Sequence, residues 1–207
     1  MTMRHSPTAH IAADRRGMFS ESFRENPLVT GAAGASLIAA GCTTLSGAMI
    51  LSLFMLVCLP LVGVLACREK ESIDSRRRPA FYAAVTCAAV FALSILLDSI
   101  FPNSVSGIGI YAPLAAMNGL VMHRTWPDAR ILLPGEAVVE GAACALCFAV
   151  IALPVAFIRE LMGAGELMGI HLGLSGISEL QYPFFGFILC GLFIGIFRAL
   201  FGREGSR

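Results

Sequence analysis

The sequence predicts an all-α membrane protein of six transmembrane helices, arranged as two inverted three-helix repeats, with helices one and four interrupted. Three observations predict it. Mean hydropathy is +0.77, with 57% hydrophobic and 14% charged residues, against about 25% charged in an ordinary soluble domain. The charges cluster between apolar runs, and none lies between Glu25 and Arg68. The first and fourth apolar runs each carry a small-residue break near the middle. A formal net charge of +1, with no clustered basic face, excludes a nucleic-acid reader.

Residues 1–25 contain Arg4, Asp14, Arg15, Arg16, Glu21, Arg24 and Glu25 but no apolar core of the kind a secretory signal requires. They are expected to form a polar cytoplasmic arm. Residues 26–202 then form one six-helix membrane domain, with repeats at about 26–101 and 108–202, and residues 203–207 a cytoplasmic tail. As helix, residues 28–67 would extend roughly 60 Å, two crossings of a hydrocarbon core about 30 Å thick. The turn between them falls in the TTLSG stretch from Thr43 to Gly47. The remaining spans are expected at 79–100, 108–122, 137–158 and 183–201.

Six crossings put both termini on one side. Of the 15 Lys and Arg residues, only Arg159 falls on the opposite side from the arm, the second-to-third loop, the fourth-to-fifth loop and the tail. The positive-inside rule therefore places both termini in the cytoplasm.

The first span opens with ENPLVTGAAGASL, where Asn26 suits an N-cap and Pro27 the first helical position. The fourth, GIGIYAPLAAMNGLVMHR, carries Pro113 and then Asn118-Gly119. Each opens a group of three spans, and a three-span unit repeated once enters the membrane in opposite senses. Paired broken segments in two such halves point to a site at the bilayer midplane, because irregular backbone survives in lipid only where protein or water covers it. Gly34, Ser36, Asn118 and Gly119 are the midplane and ion-path candidates. The same small residues, Gly31 with Gly34, Ala35 or Ser36, also suit close helix packing and nothing more.

These residues carry a family resemblance. FRENPLV, CTTLSGAMI, RRRPAFYAAVTCAAVFALSILLD, the fourth-span stretch, EGAACALCFAVIALPVAFIRELMGAGELMG and YPFFGFILCGLFIGIF resemble the six-span membrane subunits of the Rnf and sodium-pumping NADH:quinone oxidoreductase (Nqr) complexes. The resemblance is to the E-type member in Rnf and the D-type member in Nqr, and IRELMGAGELMG is its most specific piece. It implies a membrane component of a complex that passes electrons from ferredoxin or NADH to NAD or quinone and moves Na⁺ or H⁺. It implies a partner of opposite orientation, the Rnf A or Nqr E type, and other members of the complex. It also implies residence in the bacterial inner membrane and a [2Fe-2S] cluster at the paired interface, each of the two chains supplying two thiolates.

Here the chain departs from the family pattern. In the family's NPxxxxxxGxC piece, Gly34 is in register and Ser36 stands where the thiol belongs; in PLxxxNC, Pro113, Leu114 and Asn118 match but Gly119 follows. A stretch resembling GRAEAF is altered to HRTWPDA at 123–129. The chain is therefore expected to bind no cluster alone, to hold no metal or catalytic residue, and to act as a structural or ion-path element. A small-solute or ion carrier and an assembly scaffold are the alternatives. A carrier would need facing polar groups, and only Thr30, Ser36, Thr86 and Asn118 are available.

Other residues have plainer expectations. Cys144 and Cys147 share a helix face and suit buried small hydrophobes, and Cys42 lies beyond the broken segment. Cys58, Cys67, Cys87 and Cys190 have no helical partner. Asp98 is expected at the outer surface, and Glu136 and Glu140 in an interfacial ion pair with Arg130. Arg159, Glu160, Glu166 and Glu179 mark the outer loop, with His171 in it as an exposed or hydrogen-bonded side chain. His123 marks the cytoplasmic boundary.

Overall fold

In the computed structural model the described residues are 17–69, 73–74, 76–123 and 133–201. The arm before residue 17, Arg124, Arg130 and the 203–207 tail lie outside them. Among the described residues, four helices rather than six are long and apolar enough to cross a membrane: α4 (Leu45–Arg68), α5 (Arg78–Ile100), α8 (Pro134–Arg159), which continues through a π-turn to Ala164, and α9 (Pro183–Phe201). The first and fourth spans, expected to be interrupted, are each a pair of short helices. These are α2 (Pro27–Gly31) with α3 (Ala35–Gly41), and α6 (Tyr111–Ala116) with α7 (Gly119–His123). A further helix, α1, covers residues 17–24. The structure is also not wholly helical, since β1 (Glu166–Leu167) and β2 (Ile170–His171) pair antiparallel as a small hairpin.

Small residues determine how the long helices meet. A Cβ on Gly141 of α8 would lie 2.6 Å from Pro60 backbone in α4, and one on Gly63 would lie 3.1 Å from the Ala137 carbonyl. These two contacts run in opposite sequence directions, so α4 and α8 are antiparallel and pack backbone against backbone, as apolar solvent allows only where side chains are small. Of the most apolar stretch of each span, 56% is buried in α8 but only 17% in α5 and 22% in α9. Helix α8 is therefore central. On α5 only Tyr82, Thr86 and Val90 are buried, four residues apart on one stripe, while Phe91, Ile95 and Leu96 are exposed on a face that suits lipid.

The turn before α4 is chemically specified. Thr44 caps α4 by accepting from the Gly47 N–H at 3.2 Å. Asp98 is exposed near the end of α5 and accepts from Val105 N–H at 3.1 Å and from Ser104 Oγ at 3.3 Å, tying down the turn that leads to α6. Glu136 accepts from Leu133 N–H at 3.0 Å and so caps the first turn of α8. His171 is exposed and sits 3.1 Å from Glu166 across the hairpin. Arg159 and Glu160, expected as charges of the outer loop, are corrected by the structure: they are 0% and 5% exposed, because backbone groups of three other segments converge on them.

Candidate functional site

Two broken segments meet inside the bundle. In the first, Asn26 holds an extended conformation, and its Oδ1 accepts from Leu28 N–H at 2.8 Å to start α2. Its Nδ2 reaches across to donate to the Cys144 carbonyl in α8 at 3.3 Å. The capping role was legible in the sequence; the bond to α8 was not. Helix α2 ends when Ala32 turns left-handed (φ 52°) and donates back to Pro27 O, and α3 begins after Gly34, also left-handed at φ 87°.

In the second segment, α6 stops at Ala116 and α7 starts at Gly119. The freed Ala116 carbonyl accepts from the Thr86 hydroxyl of α5 at 3.0 Å. That bond, together with the carbonyls of Tyr82 and Ala83 on its own helix, occupies Thr86. Thr30 likewise turns back to donate to Asn26 O at 3.1 Å. Thr86 thus serves the second segment from α5 and Thr30 its own turn, and of the four polar groups named from the sequence only Ser36 and Asn118 line one cleft.

The segments run antiparallel where they touch. A Cβ on Gly41 at the end of α3 would lie 3.2 Å from the Tyr111 ring at the start of α6. At the other contact, a Cβ on Gly34 would lie 2.8 Å from Asn118 Oδ1, and one on Gly119 would lie 3.0 Å from Gly34 N. Backbones approach this closely only without side chains between them. Asn118 Nδ2 lies 3.4 Å from Met55 Sδ. Met55 is ten residues into the 24-residue α4, roughly 15 Å along its axis, which is half of a core about 30 Å thick. The crossing therefore lies beside the middle of α4.

Beside the crossing is a cleft of roughly 280 Å³. Ser36 and Ala40 of α3, Tyr111 and Leu114 of α6, and Met117 to Gly119 line it. Ser36 and Gly119 are exposed at its edge, whereas Asn118 is 5% exposed. Asn118 Oδ1 accepts no hydrogen bond from the described residues, which in a dry interior leaves an acceptor costly enough to require a donor from elsewhere. Three of the four sequence candidates thus line one cleft, and Gly34 forms its crossing.

No described residue lining the cleft carries a thiol. Cys42 ends α3 with its side chain buried in the core, and Cys58, Cys144, Cys147 and Cys190 are buried as well. Tyr111 was not singled out in the sequence; a phenol in an apolar run gives no signal until the helices are assembled.

A model of the family described as "Rnf-Nqr subunit, membrane protein" matches residues 16–202. Among curated proteins, the chain is similar to the D subunit of the Na(+)-translocating NADH-quinone reductase of Pseudoalteromonas translucida, 23% identical over 87% of this chain and 90% of that protein. It is also similar to the D subunit of the same reductase from a Shewanella species, 25% identical over 84% and 86% respectively. With the D subunit from Pasteurella multocida it is 30% identical over 52% of this chain and 60% of that one.

Proposed function

We propose a function on this premise: the chain belongs to the Rnf-Nqr family of membrane subunits. It is a multi-pass membrane component of a redox-driven ion-translocating complex, the role carried by the names of its relatives. Within such a complex it serves as a structural and ion-path element and carries no catalytic group of its own.

One observation carries this: two antiparallel broken segments cross beside the middle of α4, Gly34 against Gly119, at a cleft lined in part by Asn118, whose buried Oδ1 has no donor among the described residues, and we place this crossing near the bilayer midplane. Irregular backbone at that depth needs cover, and the open side of the cleft suits a second membrane chain of opposite orientation. The repeats are residues 26–101 and 108–202, related by inversion, with both termini on the cytoplasmic side of a bacterial inner membrane.

A [2Fe-2S] cluster does not fit this lining. The cleft offers a serine hydroxyl, a phenol and an amide, whereas cluster iron takes thiolates; neutral oxygens suit a passing hard cation instead. The carrier alternative is weakened because Thr30 and Thr86 are spent on backbone carbonyls.

The test is capture of the tagged full chain from native membranes after mild cross-linking, with mass spectrometry of what accompanies it. A second multi-span membrane protein and the redox components of one oxidoreductase are expected. Recovery of the chain alone sinks the assignment. Glu204→Cys is expected to react with an impermeant maleimide only from the cytoplasmic face.

A further inference from the structure

We infer that Arg159 and Glu160 are positioning residues that set the depth of half-helix α3, and with it the place of Ser36 at the cleft edge. The assignment rests on the cleft as the working surface of the chain.

The guanidinium of Arg159 serves two segments at once. Its Nη1 donates to the carbonyls of Ala39 at 2.6 Å and Cys42 at 3.2 Å, at the end of α3. Its Nη2 donates to Gln181 O at 2.5 Å and its Nε to Leu180 O at 3.3 Å, just before α9. Gln181 returns a bond from Nε2 to Arg159 O at 3.0 Å. The planar fork of arginine spreads five donors over three nitrogens, whereas an ammonium gathers its three donors at one point and reaches less far apart.

Glu160, the next residue, does the opposite job. Its Oε2 accepts from Leu45 N–H at 2.7 Å, the first residue of α4, and its Oε1 accepts from Met168 N–H at 2.9 Å. A cation thus holds the carbonyl end of α3 and an anion the amide end of α4, each matching the helix-end charge it meets. Arg159 ends α8 and Glu160 opens its continuation. Asn26 ties the other end of the broken segment to the same helix, at the Cys144 carbonyl. The two anchors lie fifteen residues apart on α8, roughly 22 Å. Between them sit the left-handed Ala32 and Gly34, the residues about which α3 would tilt if the outer anchor failed.

A burial role alone would not require this arrangement. Adjacent residues of a helix do not face each other, and here both side chains are nonetheless directed to backbone of the one α3–α4 turn, Arg159 to its carbonyls and Glu160 to the Leu45 N–H.

The test uses the full chain in nanodiscs, with nitroxides at Ser36→Cys and Leu114→Cys, both on the cleft, after Cys67 and Cys87 are replaced by Ser. Spin–spin broadening reports their separation. Arg159→Lys retains the charge and loses the fork. Glu160→Gln can accept at one oxygen only, and its amide N–H₂ then faces an N–H. Both are expected to lose the short-distance population while remaining helical by circular dichroism. Gln181→Ala removes one partly buried bond and is expected to lose part of it, which keeps the inference exposed if the charge variants do not fold. A short distance unchanged in every folded variant, even with lowered unfolding temperatures, would overturn it. The measurement is made on the chain alone, so it succeeds or fails independently of the partner-capture result.

Discussion

Replacing Gly34 with Ala tests the crossing of the two broken segments directly. Gly34 stands at φ 87°, and an added Cβ would lie 2.8 Å from Asn118 Oδ1, 3.0 Å from Asn118 Nδ2 and 3.1 Å from Leu120 Cγ. Two costs add. The left-handed conformation costs a non-glycine residue about 1 kcal/mol, and overpacking a closed contact costs about 1–3 kcal/mol. Asn118 can retreat only by leaving Met55. The expected loss is about 2–4 kcal/mol, roughly 30- to 1,000-fold in the unfolding equilibrium. The internal reference is Gly31→Ala: nothing lies within 4 Å of a Cβ there and its φ is not left-handed. That change is expected to stabilise by up to about 1 kcal/mol through helix propensity. Both variants would be unfolded by steric trapping in bicelles, which returns a free energy without leaving the bilayer. A Gly34→Ala stability within about 0.5 kcal/mol of Gly31→Ala, the range of an uneventful surface change, would refute the close approach.

Two further outcomes are expected. Ala32→Gly should stabilise the chain by about 0.5–1 kcal/mol in the same assay, because Ala32 already holds the left-handed cap at φ 52° that glycine adopts without strain. Ser36→Cys with Gly119→Cys, expressed with a partner that supplies two thiols, should acquire iron and acid-labile sulfide, whereas the unaltered chain in the same pairing should hold neither; near one cluster per unaltered pair would show that another thiol serves.

The positions of breaks and boundaries were legible because they depend on local chemistry. A cap at Asn26, a proline behind it, and Gly34 or Asn118-Gly119 inside an apolar run state where hydrogen bonding along the chain stops, whatever the neighbours are. The 79–100 and 183–201 expectations fall within a residue of α5 and α9 for the same reason: charge and proline mark the ends of long apolar runs. The 28–67 run was divided at the right turn, since Thr44 carries its own cap. A membrane chain with two glycine-broken runs was thus determined by sequence alone, as was the absence of thiols at 36 and 119.

Tertiary structure decided what those breaks touch. Nothing local says that Gly34 faces Gly119, that Thr86 closes the Ala116 carbonyl, or that Tyr111 lines the cleft, because each contact joins residues from separate helices. Arg159 is the clearest case. Beside Glu160 at the end of an apolar run it has the sequence signature of a surface charge, and a solvated arginine is the ordinary outcome. It is buried instead because four carbonyls from the end of α3 and the turn just before α9 arrive around it. A side chain's sequence states how many donors it brings, and only the assembled fold supplies the acceptors that make burying a charge tolerable.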